Sequence, residues 1–377
     1  MPGQLKTCLA TMCTSVGLDR LCARVLRRPG PLVIGYHRVV EDFDEQARTA
    51  IPSLLISTRM LEQHLEWLGR HFAIEPLDKI ATELEEGRKP ERPVAAITFD
   101  DGYSDVYENA FPVLQRRGIP AAVFVVTDLV GTERLPLHDR LYLLLRWAYA
   151  GQKRDPETYR NVLSALGLSH VPAFEADWTP LPATRHLLLT ASQGEIEGLI
   201  EKLVGQAGPP DGPPGTRPLT WEMLARMQAQ GVTIGSHTRK HAVLTQETPE
   251  RLGDEIEGSR RELERRLGIP IRHFAYPDGR FTAPTIEAVK RAGYSYAYTT
   301  CRHLDHENPL LTIPRQLLWE RSCVDASGAF SPRIMACSVR GVFDFASRCP
   351  QRHAIGGSAR VRAPHTDPPA EGKRHAA

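Results

Sequence analysis

Three short stretches of the chain bring together residue types able to run hydrolytic chemistry. The first is Thr98-Phe99-Asp100-Asp101-Gly102. Adjacent carboxylates repel, and each raises the other's pKa. A divalent cation relieves that conflict, because one carboxylate can bind it while its neighbour stays free to handle protons. Asp-Asp-Gly is also ordinary turn chemistry, so the pair alone decides nothing. The second stretch, Ser236-His237-Thr238-Arg239-Lys240-His241, sets two histidines four apart, a spacing that can turn both imidazoles to one side. Neutral imidazole is the commonest partner for Zn²⁺ and similar metals, and two His with one carboxylate leave positions open for water and substrate. Two surface histidines would show the same spacing. The third stretch is Phe274-Ala275-Tyr276-Pro277-Asp278-Gly279. Proline fixes the backbone and Asp-Gly turns it away. Such a corner could aim a backbone N–H at a developing oxyanion, or simply end a strand.

Each stretch closes an apolar run. Val94–Phe99 leads into the Asp pair, Val232–Gly235 into the His pair, and Arg272–Tyr276 into the Tyr-Pro corner. Leu32–Tyr36, leading straight into His37, reads as a further buried strand, as do Ala121–Val126, Tyr294–Thr299 and Leu310–Trp319. Between them lie amphipathic patterns: Met60, Leu61, His64, Leu65 and Leu68 at spacings of three and four, then Val106–Arg117, Trp221–Gln230, and a long charged helix over Pro249–Leu267. Short apolar strands alternating with helices imply βα units around a parallel sheet. In such sheets, ligands gather at the carboxyl ends of the strands.

The rhythm breaks between about residues 132 and 218. Leu141–Ala148 and Ile196–Val204 look helical, and Gly205–Pro218 holds four Gly and five Pro, the composition of a linker open to proteases. The expected organisation is therefore an N-terminal amphipathic helix over 1–30, a barrel over 31–322 carrying a mostly helical insertion and linker at about 132–218, and a poorly structured tail over 323–377. The N-terminal helix would carry Leu18, Leu21 and Val25 on one side. Its basic end, Arg24, Arg27 and Arg28, could touch an anionic membrane surface, or the helix could pack on the domain.

Composition narrows the function classes. Lys and Arg number 47 against 45 Asp and Glu, so no global field draws the protein to nucleic acid. Mean hydropathy is −0.31 and no apolar run reaches 18 residues, so a soluble globular chain is expected. Seven cysteines without a Cys-x-x-Cys pair suggest free thiols in a reducing compartment. No persuasive secretory signal precedes them, which points to a cytoplasmic or membrane-peripheral setting.

The ordered set Thr-Phe-Asp-Asp-Gly, Ser-His-Thr-x-x-His and Phe-Ala-Tyr-Pro-x-Gly resembles the NodB-homology polysaccharide deacetylases. Tyr36-His37-Arg38-Val39 and Ile313-Pro314-Arg315 look like the bacterial branch of that family. The resemblance implies an α/β fold, a distorted (β/α)7-type barrel, and metal-dependent hydrolysis of an acetyl group on a carbohydrate. It places the metal on Asp101, His237 and His241, with Zn²⁺ heading the candidates and Co²⁺, Ni²⁺ and Mn²⁺ open. Asp100 would be the general base, the Tyr276 backbone N–H an oxyanion donor, and His37 the preferred acid. The family's Leu-x-His acid motif is matched in letters by Leu304-Asp305-His306, but no apolar strand leads into it. Arg315 and Arg272 are candidates for orienting the base. The third motif departs from the Arg-x-x-Pro-Tyr form. Two other readings remain: a metal hydrolase for a small non-sugar amide, and a non-catalytic glycan-binding barrel. A two-carboxylate glycosidase would leave both histidines without a task.

Overall fold

The apolar runs form strands buried on both faces, which requires cover inside and out. The computed structural model describes residues 3–25, 31–88, 90–152, 180–213, 215–301 and 304–343. In chain order the strands are β1 (Leu32–Tyr36), β2 (Arg38–Val40), β3 (Leu55–Ser57), β4 (Ala73–Ile74), β5 (Val94–Phe99), β6 (Ala122–Val125), β7 (Thr233–Ser236), β8 (His273–Ala275), β9 (Tyr296–Thr299) and β10 (Ile313–Leu317). β1 pairs with β5 on one side and β10 on the other, so β1, β5, β6, β7, β8, β9 and β10 close into a seven-stranded, all-parallel barrel. β4 extends the sheet from β5, and β2 with β3 forms a separate parallel pair.

Alternation along the strands sorts the side chains into two cores. Val33, Ala96, Ala122, Phe124, Ala275, Tyr296 and Tyr298 cluster in the barrel interior, with Leu77, Ile80 and Ala81 from the Leu77–Glu85 helix. Their sequence neighbours Ile34, Ala95, Ile97, Val123, Phe274 and Ala297 pack outward against the surrounding helices. A Cβ at Gly35 would meet the end of the Leu317 side chain of β10, which lies over β1 at this point.

Two predicted helices contain a wider turn. Val106–Ala110 and Asp254–Gly258 are π-helical, each running into a regular helix, Phe111–Arg117 and Ser259–Leu267. Such insertions cluster at functional sites, and both lie beside the loops described below.

The described residues of the inserted region form the helices Leu137–Gln152, Pro180–Thr190 and Gln193–Ala207, around a separate core of Leu141, Leu144, Leu145, Ile196, Ile200 and Leu203. The linker reading of Gly205–Pro218 needs correction. The first three residues continue the Gln193–Ala207 helix, and the last ones are built into the barrel rim. Ser104 N–H donates to the Arg217 carbonyl at 2.7 Å, Leu219 N–H donates to Gly102 at 2.8 Å, and Tyr103 bridges to Pro218. Gly215 has φ +75°, and a Cβ there would meet Asp105 Cβ at 2.9 Å and Arg38 Nη2 at 3.3 Å. Here glycine serves close approach, and the composition that resembles a loose tether reflects tight packing.

The two ends also differ from expectation. The N-terminal segment is two helices, Gly3–Ser15 and Leu18–Val25, separated at Gly17 (φ +71°). The first buries Ala10 and Cys13 against the Pro332–Val339 helix, with Lys6 Nζ donating to the Ser322 carbonyl at 2.6 Å. Residues 323–343 are therefore folded, not tail: Cys323, Ile334, Met335 and Cys337 are fully buried. The expected stripe is not a core face, since Leu18 and Leu21 are exposed. The basic side chains of Arg24, Arg27 and Arg28, and the tail from 344 onward, lie outside the described residues. Six cysteines are free thiols, and among the described residues no helix is long and apolar enough to cross a membrane.

Two glycines separate backbone strain from packing. Gly208 (φ +79°) has nothing within 4 Å of a would-be Cβ, whereas Gly215 is crowded. Gly208→Ala should cost about 1 kcal/mol of folding stability and Gly215→Ala about 2–3 kcal/mol, measured as the shift in urea midpoint. Equal losses would mean the rim segment is not packed as described.

Candidate active site

The site forms where strand ends hand over to loops that are held in uncommon backbone conformations. Among the described residues, the only non-glycine residues with positive φ are Asp101 (68°), Thr238 (70°), His241 (64°) and Asp278 (54°). They fall on the three motif loops. Left-handed backbone is costly for residues with a Cβ and persists only where surroundings impose it.

Imposition is visible at each loop. Asp100 continues β5, its N–H bonded to the Tyr36 carbonyl at 2.9 Å. The left-handed turn at Asp101 then sends the second carboxylate in a different direction. Behind the His loop stands Glu255, brought in by the π-helical turn and almost fully buried. One of its oxygens accepts the N–H groups of Arg239 (3.0 Å) and Lys240 (2.9 Å). His241 N–H donates to Thr238 Oγ1 at 2.9 Å, and Arg239 is anchored to Asp128. The backbone between His237 and His241 is thereby fixed, and the two rings meet edge to face with centroids 4.9 Å apart.

The two aspartates have separate partners. Asp100 receives a two-pronged bond from Arg315 on β10, Nη1 to Oδ1 and Nη2 to Oδ2, both 2.7 Å, and Arg315 Nη1 also reaches Thr98 Oγ1 at 3.2 Å. Both residues are buried, and the guanidinium lies over the Phe124 ring at 5.0 Å. Burial pushes the Asp100 carboxyl up, but Arg315, with His237 and His37 beside it, more than offsets this and holds it below the usual carboxylate range. Asp101 Oδ1 instead faces His241 Nε2 at 3.2 Å and His237 Nε2 at 3.5 Å. Burial opposes its charge, yet His241 pulls the carboxyl well below its ordinary value. The two imidazoles differ as well. Burial lowers His237 to about 4, while at His241 burial is outweighed by Asp101 and the pKa rises.

The donor set fits a divalent cation. His237 Nδ1–H donates to the Ala275 carbonyl at 2.7 Å, which fixes the tautomer with a bare Nε2 facing Asp101. Asp101 Oδ1 is buried without a hydrogen-bond partner, a cost that a cation would remove. One ligand atom from each of Asp101, His237 and His241 lies within 4.8 Å of the others. This is the His₂-carboxylate set of open metal sites.

A cavity of about 370 Å³ opens over these groups, lined by His37, Asp100, Asp101, His237, His241, Tyr276 and Arg315. Seven of the residues singled out in the sequence thus share one pocket. Tyr276 does so differently than expected: its backbone N–H donates to the Tyr298 carbonyl at 3.0 Å, and its hydroxyl to Leu311. The amide read as an oxyanion donor is taken up by the barrel ladder, because Tyr276 still pairs as strand. Arg272 points to the opposite end of the barrel, bonded to Tyr296. His306 is exposed and off the pocket, beside an Asp305 that caps its own turn.

Sequence reasoning missed His138 and the wall of the cavity. His138 begins the Leu137–Gln152 helix and lies with Nε2 3.7 Å from Asp101 Oδ2. Leu181, Thr184, Arg185, Leu188 and Leu189, from the Pro180–Thr190 helix, line the pocket, facing Leu54, Val243, Leu317 and Trp319. Neither carries a spacing signal, since their distance from the motifs is closed only by the insertion's own packing.

Comparison with known proteins agrees with this geometry. The profile of the polysaccharide deacetylase family matches residues 87–297, over half the chain. The chain belongs to the polysaccharide deacetylase family. It is 21% identical over 250 residues to YxkH of Bacillus subtilis, covering 66% of this chain and 60% of that protein. It is 32% identical over 109 residues to the poly-β-1,6-N-acetyl-D-glucosamine N-deacetylase of Staphylococcus epidermidis, covering 27% of this chain and 37% of the relative. The chain therefore spans less than two thirds of the length of these curated relatives. In fold it is similar to the deacetylase PplD of Streptococcus pyogenes (TM-score 0.52, 18% identity, 82% of this chain and 98% of that one) and to IcaB of Ammonifex degensii (0.51, 19%, 82% and 97%).

The Asp100–Arg315 pair can be tested through stability. Arg315→Met strands a buried carboxylate and should cost about 3–5 kcal/mol at neutral pH. Because the Asp100 pKa is depressed in the folded protein, the stabilisation from pairing is present above the ordinary carboxylate pKa and is lost as pH falls through the folded value. The gap between wild type and variant in urea unfolding should therefore narrow in acid. A gap independent of pH would refute the pairing as the source of the depressed pKa.

Proposed function

We propose that this chain is a metal-dependent deacetylase that removes acetyl groups from N-acetylated glucosamine saccharides. The observation that carries the reading is the cluster of Asp101, His237 and His241 beside a separately held, ionised Asp100. Support for the sugar comes from the poly-β-1,6-N-acetyl-D-glucosamine N-deacetylases among its relatives.

Asp101, His237 and His241 would hold the cation, whose chemistry is to polarise the acetyl carbonyl and lower the pKa of water. Asp100, kept ionised by Arg315, takes the proton from the attacking water as C–O bond formation proceeds. The pairing with Arg315 uses both carboxylate oxygens in-plane, so it fixes the direction in which the base faces. His37, at the end of β1 on the same rim, gives a proton to the leaving nitrogen as the C–N bond breaks, yielding acetate and a free amine. The apolar wall over the cavity limits water around these transfers.

Purified protein loaded with Zn²⁺ should release acetate from N-acetylglucosamine oligomers and stop after chelation. Asp100→Asn should lower kcat by about 10²–10⁴-fold while keeping the metal; Asp101→Ala/His237→Ala should lose the metal itself. Undiminished acetate release by either variant would sink the assignment, and metal binding without acetate release from any glycan would favour a binding role.

A further inference from the structure

We infer that His138 is a positioning residue of the metal centre, supplied by the helical insertion. This rests on the reading that Asp101 holds a cation. The insertion would then be part of the hydrolytic machinery as well as a wall around it.

The argument starts from one phenol proton. Tyr103 lies two residues beyond Asp101 and is fully buried. Its hydroxyl lies 2.7 Å from Asp139 Oδ2 and 2.6 Å from His138 Nε2. A phenol has a single hydrogen, and Asp139 as a carboxylate can only accept, so the proton goes to Asp139. Tyr103 Oη must then accept from His138, which places the imidazole proton on Nε2. That same Nε2 stands 3.7 Å from Asp101 Oδ2. That distance is a close contact and not a hydrogen bond: the Nε2 proton is committed to Tyr103, which leaves Nε2 no lone pair and excludes it as a metal ligand in this arrangement.

The two oxygens of Asp101 are thereby divided. Oδ1 faces His237 and His241 and has no hydrogen-bond partner; Oδ2 faces His138. The His138 ring also meets His241 edge to face, centroids 5.0 Å apart, so it backs a ligand ring as well as a ligand carboxylate. Asp101 has left-handed backbone and no helix or strand to fix its side chain. Held by Tyr103, the His138 ring is a fixed surface against both the Asp101 carboxylate and the His241 imidazole, limiting where either ligand can turn. Filling space alone would not call for an imidazole here, because its Nδ1 is buried and unpartnered.

The test measures Zn²⁺ affinity directly, by competition with a chromophoric chelator on metal-stripped protein. His138→Ala should bind Zn²⁺ about 10–100-fold more weakly than wild type. His138→Gln, whose amide can still donate to Tyr103, should recover part of the loss. Tyr103→Phe, which keeps the imidazole but frees it, should weaken binding by several-fold. His186→Ala, at an exposed position of the same insertion, should bind as wild type does. A merely structural His138 would lower the melting temperature of the metal-free protein and leave the affinity of the folded protein unchanged. Should His138→Ala fail to fold, His138→Gln and Tyr103→Phe carry the test. Wild-type affinity in both overturns the inference. Failure of the wild type itself to bind Zn²⁺ overturns the metal reading beneath it.

Discussion

Two carboxylates on consecutive residues occupy one buried pocket, and the site depends on making them diverge. In extended backbone they would point to opposite faces of a strand, one inward and one into the helical layer. The left-handed turn at Asp101 rescues the second from that layer and brings it back over the barrel mouth. Asp100 is then matched by a guanidinium from β10, and Asp101 by imidazoles beyond β7. Each carboxylate has its own partners, so their mutual repulsion does not force either to take up a proton. A base and a ligand can coexist at neighbouring positions because the backbone separates them.

The cost of that arrangement is met by buried support outside the pocket. Glu255 reaches the His loop from within a π-helical turn; burial pushes its carboxyl up, and the N–H groups of the loop pull against this. The Arg38–Asp105 ion pair does comparable work behind the Asp loop, at 2.9 Å and fully enclosed, with Gly215 pressed against it. Pairs of this kind contribute little net stability compared with apolar packing of the same volume. Their presence around strained loops is better explained by the geometry they hold than by folding energy.

What could be read from the sequence divides along physical lines. Strands and their order were legible because a parallel barrel demands unbroken apolar runs, and each motif sits at the end of one. Asp100, Asp101, His237 and His241 announced themselves by local spacing. His37 was placed by the strand end it occupies and Arg315 by the resemblance of Ile313-Pro314-Arg315, and the structure brings both to the same cavity. Tyr276 was misjudged because nothing local says whether a strand's last amide is still paired. His138 was invisible, being held near Asp101 by the packing of a separate core. Gly205–Pro218 was misread because glycine in a flexible tether and glycine against a buried ion pair look alike in composition.

The clasp between the first helix and Pro332–Val339 has a consequence for how the barrel is made. β1 and β10 meet at a seam, and the first helix is tied to the chain just beyond β10 by Lys6 and Ser322, 316 positions apart. No closed cylinder exists until the final strand has been synthesised, so the early strands must wait with one edge open. Contacts so distant along the chain slow folding. By tying Lys6 to Ser322, the amino-terminal helix adds a contact between the two ends of the described fold that can form only once both have been synthesised.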